Sequence, residues 1–260
     1  MLDLDQVAKR IRARILSISS SSGEGHVPSS LSVVEALIGS LVFLEDKSLT
    51  PMNLVLSKGH AALGLFATLS ELRFDLGGDL LDYSSKGSGF GGHPDALKSP
   101  HVSLSSGSLG HGLPFACGLA HSDKINGSGA TPVIVLVGDG ELNEGSNWEA
   151  VMLGVGLELS NLIVVVDDNN SSNRGSSVGN LVDKFRSFDL DVMSIDGHDS
   201  EEIVQALNKL SARVSSAPAA LVLKTTKGKG VAEMELDPEA WHHRSPTIIE
   251  LEKFLEEVAN

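Results

Sequence analysis

Pro132-Val133-Ile134-Val135-Leu136-Val137 runs straight into Gly138-Asp139-Gly140-Glu141, and a helical pattern follows from about Asn147. The apolar run is short, β-branched and closed by a turn, which reads as a strand. A second run, Leu162-Ile163-Val164-Val165-Val166, ends in Asp167-Asp168-Asn169-Asn170. Strands apolar at nearly every position are buried on both faces, as in a parallel sheet covered by helices. Two further runs, Asp191-Val192-Met193-Ser194-Ile195 and Ala220-Leu221-Val222-Leu223, extend the pattern. Helices are expected at about 4–19, 32–44, 59–72, 110–121, 147–158, 201–215 and 247–258. This alternation predicts an α/β fold, with residues 1–260 forming a single domain around a parallel sheet flanked by helices.

The chain has 260 residues, 41% of them hydrophobic, enough for one sizeable core. No apolar run approaches the roughly 18 residues of a membrane span. The N-terminus, with Asp3, Asp5, Lys9, Arg10 and Arg12, lacks the apolar stretch of a secretory signal. The single cysteine, Cys117, precludes internal disulfides and sits in an apolar run as a buried thiol. The expectation is a cytoplasmic protein. A net charge of −14 disfavours nucleic acid and anionic membranes as partners. Any anionic ligand must therefore be held locally, by a divalent cation, helix N-termini and a few histidines.

In an open parallel sheet, ligands bind beyond the carboxyl ends of the strands. Right-handed crossovers place Asp139 and Asn169 on neighbouring strand tips, about 5–10 Å apart at one or two strand spacings. Glycines at 138 and 140 allow close approach of backbone to a phosphate. A carboxylate, an amide oxygen and a backbone carbonyl from the following turn, with phosphate oxygens and water, would complete an octahedral Mg2+ shell. Either motif alone is equally an ordinary turn or a solvated loop. Two at successive strand ends, joined by a helix, point to a site.

Five of the nine histidines directly follow glycine: His26, His60, His93, His111 and His198. The surrounding blocks are Gly25-His26-Val27-Pro28-Ser29-Ser30, Ser57-Lys58-Gly59-His60-Ala61 and Gly91-Gly92-His93-Pro94. Later come Gly107-Ser108-Leu109-Gly110-His111-Gly112 and Trp241-His242. A satisfied core histidine is the competing reading for each, and the preferred one for His198.

Gly138-Asp139-Gly140 followed by Asn169 resembles the signature of thiamine-diphosphate enzymes. The text from Gly138 through Gly145-Ser146-Asn147-Trp148-Glu149-Ala150 resembles transketolases in particular, and the histidine blocks match theirs in order. The resemblance covers about residues 4 to 258. It implies the diphosphate-type thiamine-binding fold, with thiamine diphosphate and Mg2+ as cofactors. Asp139 and Asn169 would be the side-chain metal ligands and Ser171 would supply a carbonyl. Gly107 and Leu109 would hold the cofactor's ring system, with Gly138, Gly140, His60 and His242 near its diphosphate. Glu144 and Glu149 would match positions buried near a subunit interface, with a solvated helix face as the competing reading. His26 and His93 would face the substrate, where ketose cleavage moves protons off hydroxyls and imidazoles can relay them. Two departures bear on the substrate side: His111 stands where the family has glutamine, and Pro28-Ser29-Ser30 where a glycine pair is usual.

A full transketolase is more than twice this length. The resemblance thus implies one half of a split enzyme that transfers a two-carbon ketol unit between sugars. A separate partner chain would carry the pyrimidine-binding and C-terminal domains, with α2β2 as the first guess. One alternative is the α-type subunit of a 2-oxoacid dehydrogenase or another thiamine-dependent transferase, which would need no such histidine array. The other is a non-catalytic subunit, which would have no reason to keep both the metal motif and the histidines.

Overall fold

In a computed structural model describing residues 3–127, 130–171 and 176–259, five parallel strands form one sheet in the order β1-β2-β3-β5-β4. They are β1 (Leu54–Leu56), β2 (Val133–Gly138), β3 (Leu162–Asp168), β4 (Asp191–Asp196) and β5 (Ala219–Lys224). Alternate residues of each strand face opposite ways, as the period of two requires. Ile134, Leu136, Ile163, Val165, Leu221 and Leu223 enter one core. Val135, Val137, Val164, Val166 and Val222 enter the other.

The first core is covered by α1 (Leu4–Ser22), α2 (Val27–Leu31), α3 (Val34–Asp46), α4 (Ala62–Glu71), α8 (Ser200–Ser211), α9 (Ala232–Leu236) and α10 (Ile248–Ala259). The second is covered by α5 (Gly112–Ile125), α6 (Gly145–Gly156) and α7 (Leu181–Ser187). Strand order advances from β1 to β3 and on to β4, with α5, α6 and α7 as crossovers on one face. It steps back from β4 to β5 through α8 on the other face. Right-handed crossovers require that change of face when the direction reverses.

Local chemistry sets the helix ends. Asp3 accepts from the Gln6 amide to cap α1, and Gly23, at φ 71°, closes it with its N–H on the Ser19 carbonyl. Asp199 caps α8 in the same way through the Glu202 amide. Among the described residues no helix is long and apolar enough to cross a membrane.

The sheet and its four longer strands match the sequence expectation, with specific differences. β1 falls outside that expectation, because three apolar residues before a polar block give too short a signal. The segment expected as one helix over 59–72 opens instead with a 3-10 turn, Gly59–Ala61, before α4. The short helices α2, α7 and α9 are likewise additional to it. β3 runs two residues past the apolar run, so Asp167 and Asp168 are buried strand residues rather than a solvated loop. β4 is an edge strand with partly exposed residues, not one buried on both faces.

Candidate active site at the carboxyl ends of the strands

The ends of β1, β2, β3 and β5 are tied to one another by their own backbone. Ser57 and Lys58, just past β1, both donate to the Leu136 carbonyl, at 2.9 and 3.3 Å. The Asp139 amide donates to the Asp167 carbonyl at 3.0 Å, and the Thr225 amide to that of Asp168 at 3.2 Å. The loops leaving these strands therefore start from fixed points. Between them lies a cleft of about 150 Å³.

Asp139, Asn169 and Ser171 meet on its floor. Asp139 is 2% exposed, and its carboxylate accepts the Ser171 hydroxyl at 3.1 Å. Asn169 Oδ1 accepts the Ser171 amide at 3.1 Å, while its Nδ2 donates to Asp167 at 3.0 Å. Asp167 thus sets the orientation of the Asn169 amide and keeps its oxygen on the Ser171 side.

Asp167 itself is fully buried. It pairs with Lys58, which is 2% exposed, and accepts from Thr225 Oγ1 and from Ser32 Oγ at 2.8 Å. Burial pushes its carboxyl up, but the Lys58 charge and these hydrogen bonds outweigh burial and hold it below the usual carboxylate range. Breaking such a pair by removing one partner typically costs about 3–5 kcal/mol. Lys227, on the loop after β5, also lines the cleft, half-buried. Burial and the neighbouring Lys58 lower its pKa. Two lysines thus face a site in a chain of net charge −14. Neither these lysines nor Asp167 stands out in the sequence. Their charge pattern is ordinary in the linear text, and only the sheet brings them together.

Above the floor sits a cluster of imidazoles. The His26 ring lies 5.7 Å from His60, 6.0 Å from His93, 5.2 Å from His242 and 4.6 Å from His243, centroid to centroid. His60 and His242 line the cleft with Leu109, Gly138, Asp139, Gly140, Asn169 and Ser171; His26 and His93 flank it. Burial, then the neighbouring His242 and His243, lower the His26 pKa to about 4. His60 is lowered by burial and Lys58, and His242 by burial and Lys227. These three imidazoles are neutral near pH 7. Gly107 lies against the His93 ring, where an added Cβ would stand 3.3 Å from Cδ2.

Loop 106–112 is pressed onto the end of β1. A Cβ on Gly59 would lie 2.9 Å from the Gly107 nitrogen, and one on Gly112 would overlap Ser57. The buried Glu141 carboxyl fastens this contact, accepting from Ser57 Oγ and from the Gly110 amide at 2.9 Å. Burial raises its pKa, against the pull of the Ser57 hydrogen bond. His111 is exposed, with Nδ1 3.1 Å from the Leu109 carbonyl, so this departure from the family pattern is met by a local contact. His198 has the structural role preferred for it. It accepts the Thr226 amide at 2.8 Å and lies 3.2 Å from Glu35, which pairs with Arg12, and so fixes the Lys227 loop.

The donors on the floor are hard oxygens, which suits Mg2+ bound to phosphate. Two buried atoms beside the cleft, Ser29 Oγ and His26 Nδ1, have no hydrogen-bond partner. Nothing lies within 4 Å of the place a Cβ on Gly140 would take. Oxygen donors, two lysines, orphaned polar atoms and open space beside a glycine all fit a metal-bound diphosphate.

Comparison with known proteins agrees with this chemistry. Residues 5–246 match the transketolase thiamine-diphosphate-binding domain. The chain is 36% identical to one of the subunits of apulose-4-phosphate transketolase from Actinobacillus succinogenes, over 98% of this chain and 96% of that protein. It is 34% identical to human transketolase, over 92% of this chain but 39% of that one. Transketolase from Leishmania mexicana superposes with a TM-score of 0.83 at 25% identity, over 100% of this chain and 42% of that one. The chain belongs to the transketolase family, through its thiamine-diphosphate-binding domain.

Proposed function

We propose that this chain, as one thiamine-diphosphate-binding unit over residues 1–260, is the cofactor-binding subunit of a two-component transketolase. It transfers a two-carbon ketol unit from a ketose or ketose phosphate to an aldose. The observation that carries this reading is the stacking of two chemistries in one cleft, a hard-oxygen floor flanked by lysines under a cluster of histidines. An oxoacid decarboxylase has sugar hydroxyls neither to hold nor to deprotonate, so the histidine array favours the transketolase reading.

Asp139, Asn169 and the Ser171 carbonyl would hold Mg2+, which neutralises the diphosphate. Thiamine diphosphate, when bound, supplies the thiazolium that accepts the electron pair left by carbon–carbon cleavage. Lys58, Lys227, Ser29, His60 and His242 hold and orient the anionic end. The backbone at Gly107 and Leu109 supports the ring end. His26, neutral at working pH, can take the proton of a substrate hydroxyl and return it, and His93 beside it can act on the next hydroxyl.

The chain spans about two-fifths of the length of the human enzyme and nearly all of the Actinobacillus protein. The partner in this reading is a second chain with the pyrimidine-binding and C-terminal domains, in an α2β2 assembly, acting in the cytoplasm on small sugar substrates. The test is a ketol-transfer assay of this chain mixed with that partner over several ketose phosphate donors. Transfer dependent on both chains is the expected result. Decarboxylation of 2-oxoacids without ketol transfer would overturn the reading.

A further inference from the structure

The histidine cluster contains one member with no part in the reading above. His243 follows His242 directly, is exposed, and turns its ring back over the cleft. Its ring centroid lies 4.6 Å from that of His26 and 4.5 Å from that of His242. One nitrogen from each of the three can be chosen so that all lie within 4.8 Å of one another. Among the described residues this is the one group of three or more histidine, cysteine or acidic side chains so placed.

We propose that His26, His242 and His243 form a site for a nitrogen-preferring divalent cation of the Zn2+ class, separate from the oxygen floor, and that its occupancy closes the substrate mouth. The donor atoms decide the cation. Imidazole suits Zn2+, Cu2+ and Ni2+, whereas Mg2+ takes oxygen ligands. Zn–N bonds of about 2.0–2.1 Å at tetrahedral angles need nitrogens about 3.4 Å apart. The three rings must therefore close by as much as an ångström or so, through side-chain rotation of the exposed His243 and of the partly exposed His26 and His242.

Two features make the site more than a chance convergence. The His26 Nδ1 atom is buried without a hydrogen-bond partner, so one ring nitrogen within the group is stripped of water and left unsatisfied. The backbone that carries His242 and His243 is pinned. Trp241 is 3% exposed, packs edge-on against Phe254 at 5.3 Å, and lies under the Arg244 guanidinium at 4.0 Å. Both rings consequently project from a fixed point. Three protein ligands leave a fourth position for water or a sugar hydroxyl.

The blocking step rests on the proposed role of His26, because a metal-bound imidazole cannot take a proton. The binding step does not depend on that reading, so the two fail separately. The test is calorimetry of the untagged, chelator-treated chain with ZnCl2, with and without excess Mg2+. One Zn2+ per chain is expected, undisplaced by Mg2+. Loss of one ligand in His243→Ala or His243→Gln should weaken it at least about 10–100-fold. His111→Ala, on an exposed histidine elsewhere, should leave it unchanged. Equal affinity in both His243 variants overturns the site, as does loss of Zn2+ binding in Asp139→Ala, which would put the ion on the oxygen floor. In the assembled enzyme, Zn2+ should inhibit ketol transfer in competition with the sugar donor. His243→Ala should relieve that inhibition, each variant being compared with its own Zn2+-free rate. Stoichiometric Zn2+ binding without inhibition would overturn the blocking step.

Discussion

Asp139 is the residue on which anion binding turns in the proposed site. It supplies the one carboxylate among the proposed metal ligands, and its backbone is held by Asp167. In the assembled enzyme, Asp139→Ala should weaken Mg2+-dependent thiamine diphosphate binding by about 3 kcal/mol, roughly 100-fold. Calorimetry with and without Mg2+ reads this directly, and an unchanged affinity would remove Asp139 from the metal site. The histidines divide by position. His26→Ala or His93→Ala should lower turnover by about 10²–10⁴-fold with cofactor affinity largely kept. His60→Ala or His242→Ala should weaken cofactor binding first, and the reverse pattern would exchange the two pairs. Titration of His26 gives a further expectation for the protein without ligands. Its pKa is 6.5 in the unfolded chain and about 4 in the folded one. Between those values the unfolded state binds the extra proton, so stability falls as pH drops through that window. His60 and His242 act in the same direction. Thermal melts from pH 7 down to 4 should show a shallower decline for His26→Asn than for the wild type.

At the scale of elements, the site depends on how closely loop 106–112 and the start of α5 lie against the end of β1. Gly112 has no room for a side chain because Ser57 occupies that space. Gly112→Ala should therefore destabilise the chain by about 1–3 kcal/mol through overpacking and loosen the backbone at Leu109. Gly118, in the same helix, has nothing within 4 Å of its absent Cβ. Gly118→Ala should stabilise by about 0.4–1 kcal/mol, mainly by restricting the unfolded chain. Denaturant unfolding of the two variants separates packing from helix propensity, and a shared sign would contradict the close approach. The loop after β5 is held from the opposite side by His198, Glu35 and Arg12, so its Lys227 is placed by residues remote from it in the sequence.

For the whole molecule, the described helices pack on the two faces of one sheet, and in the proposed split enzyme the second wall over the cleft comes from the partner. The chain by itself should show no ketol transfer with excess thiamine diphosphate and Mg2+. Activity should return with added partner in a concentration-dependent way, while ordinary rates from the chain alone would sink the split-enzyme reading. The face of α5 and α6 offers a contact surface. Met152 and Leu153 are 52% and 53% exposed on α6, and Pro114 and Gly118 are exposed on α5, which packs against α6. Glu144 and Glu149 are also exposed in this chain. Met152→Asp combined with Leu153→Asp should raise the half-saturating partner concentration by about tenfold or more, since buried anchors carry most interface energy. Unchanged assembly would place the partner on another face.

The sequence by itself determined the sheet and the positions of its ligand-binding edge. β2 and β3 are apolar up to Val137 and Val166 because both faces are buried, and that pattern is local, strong and legible. Asp139 and Asn169 stand at the ends of those runs, so their proximity follows from parallel pairing alone. The blocks of His26, His60, His93 and His111 were legible because each carries its own glycine, while that of His242 was legible only through the family resemblance. What the linear text could not supply was anything created by convergence. β1 is too short to announce itself. Asp167 and Asp168 look like a solvated turn until β5 is inserted beside β3. Lys58, Glu141 and Lys227 acquire meaning only when strands distant in sequence end at one place. His243 reads as a repeat of its neighbour until the fold turns its ring toward His26. Burial and electrostatic coupling depend on distances in space, and tertiary packing alone sets those distances.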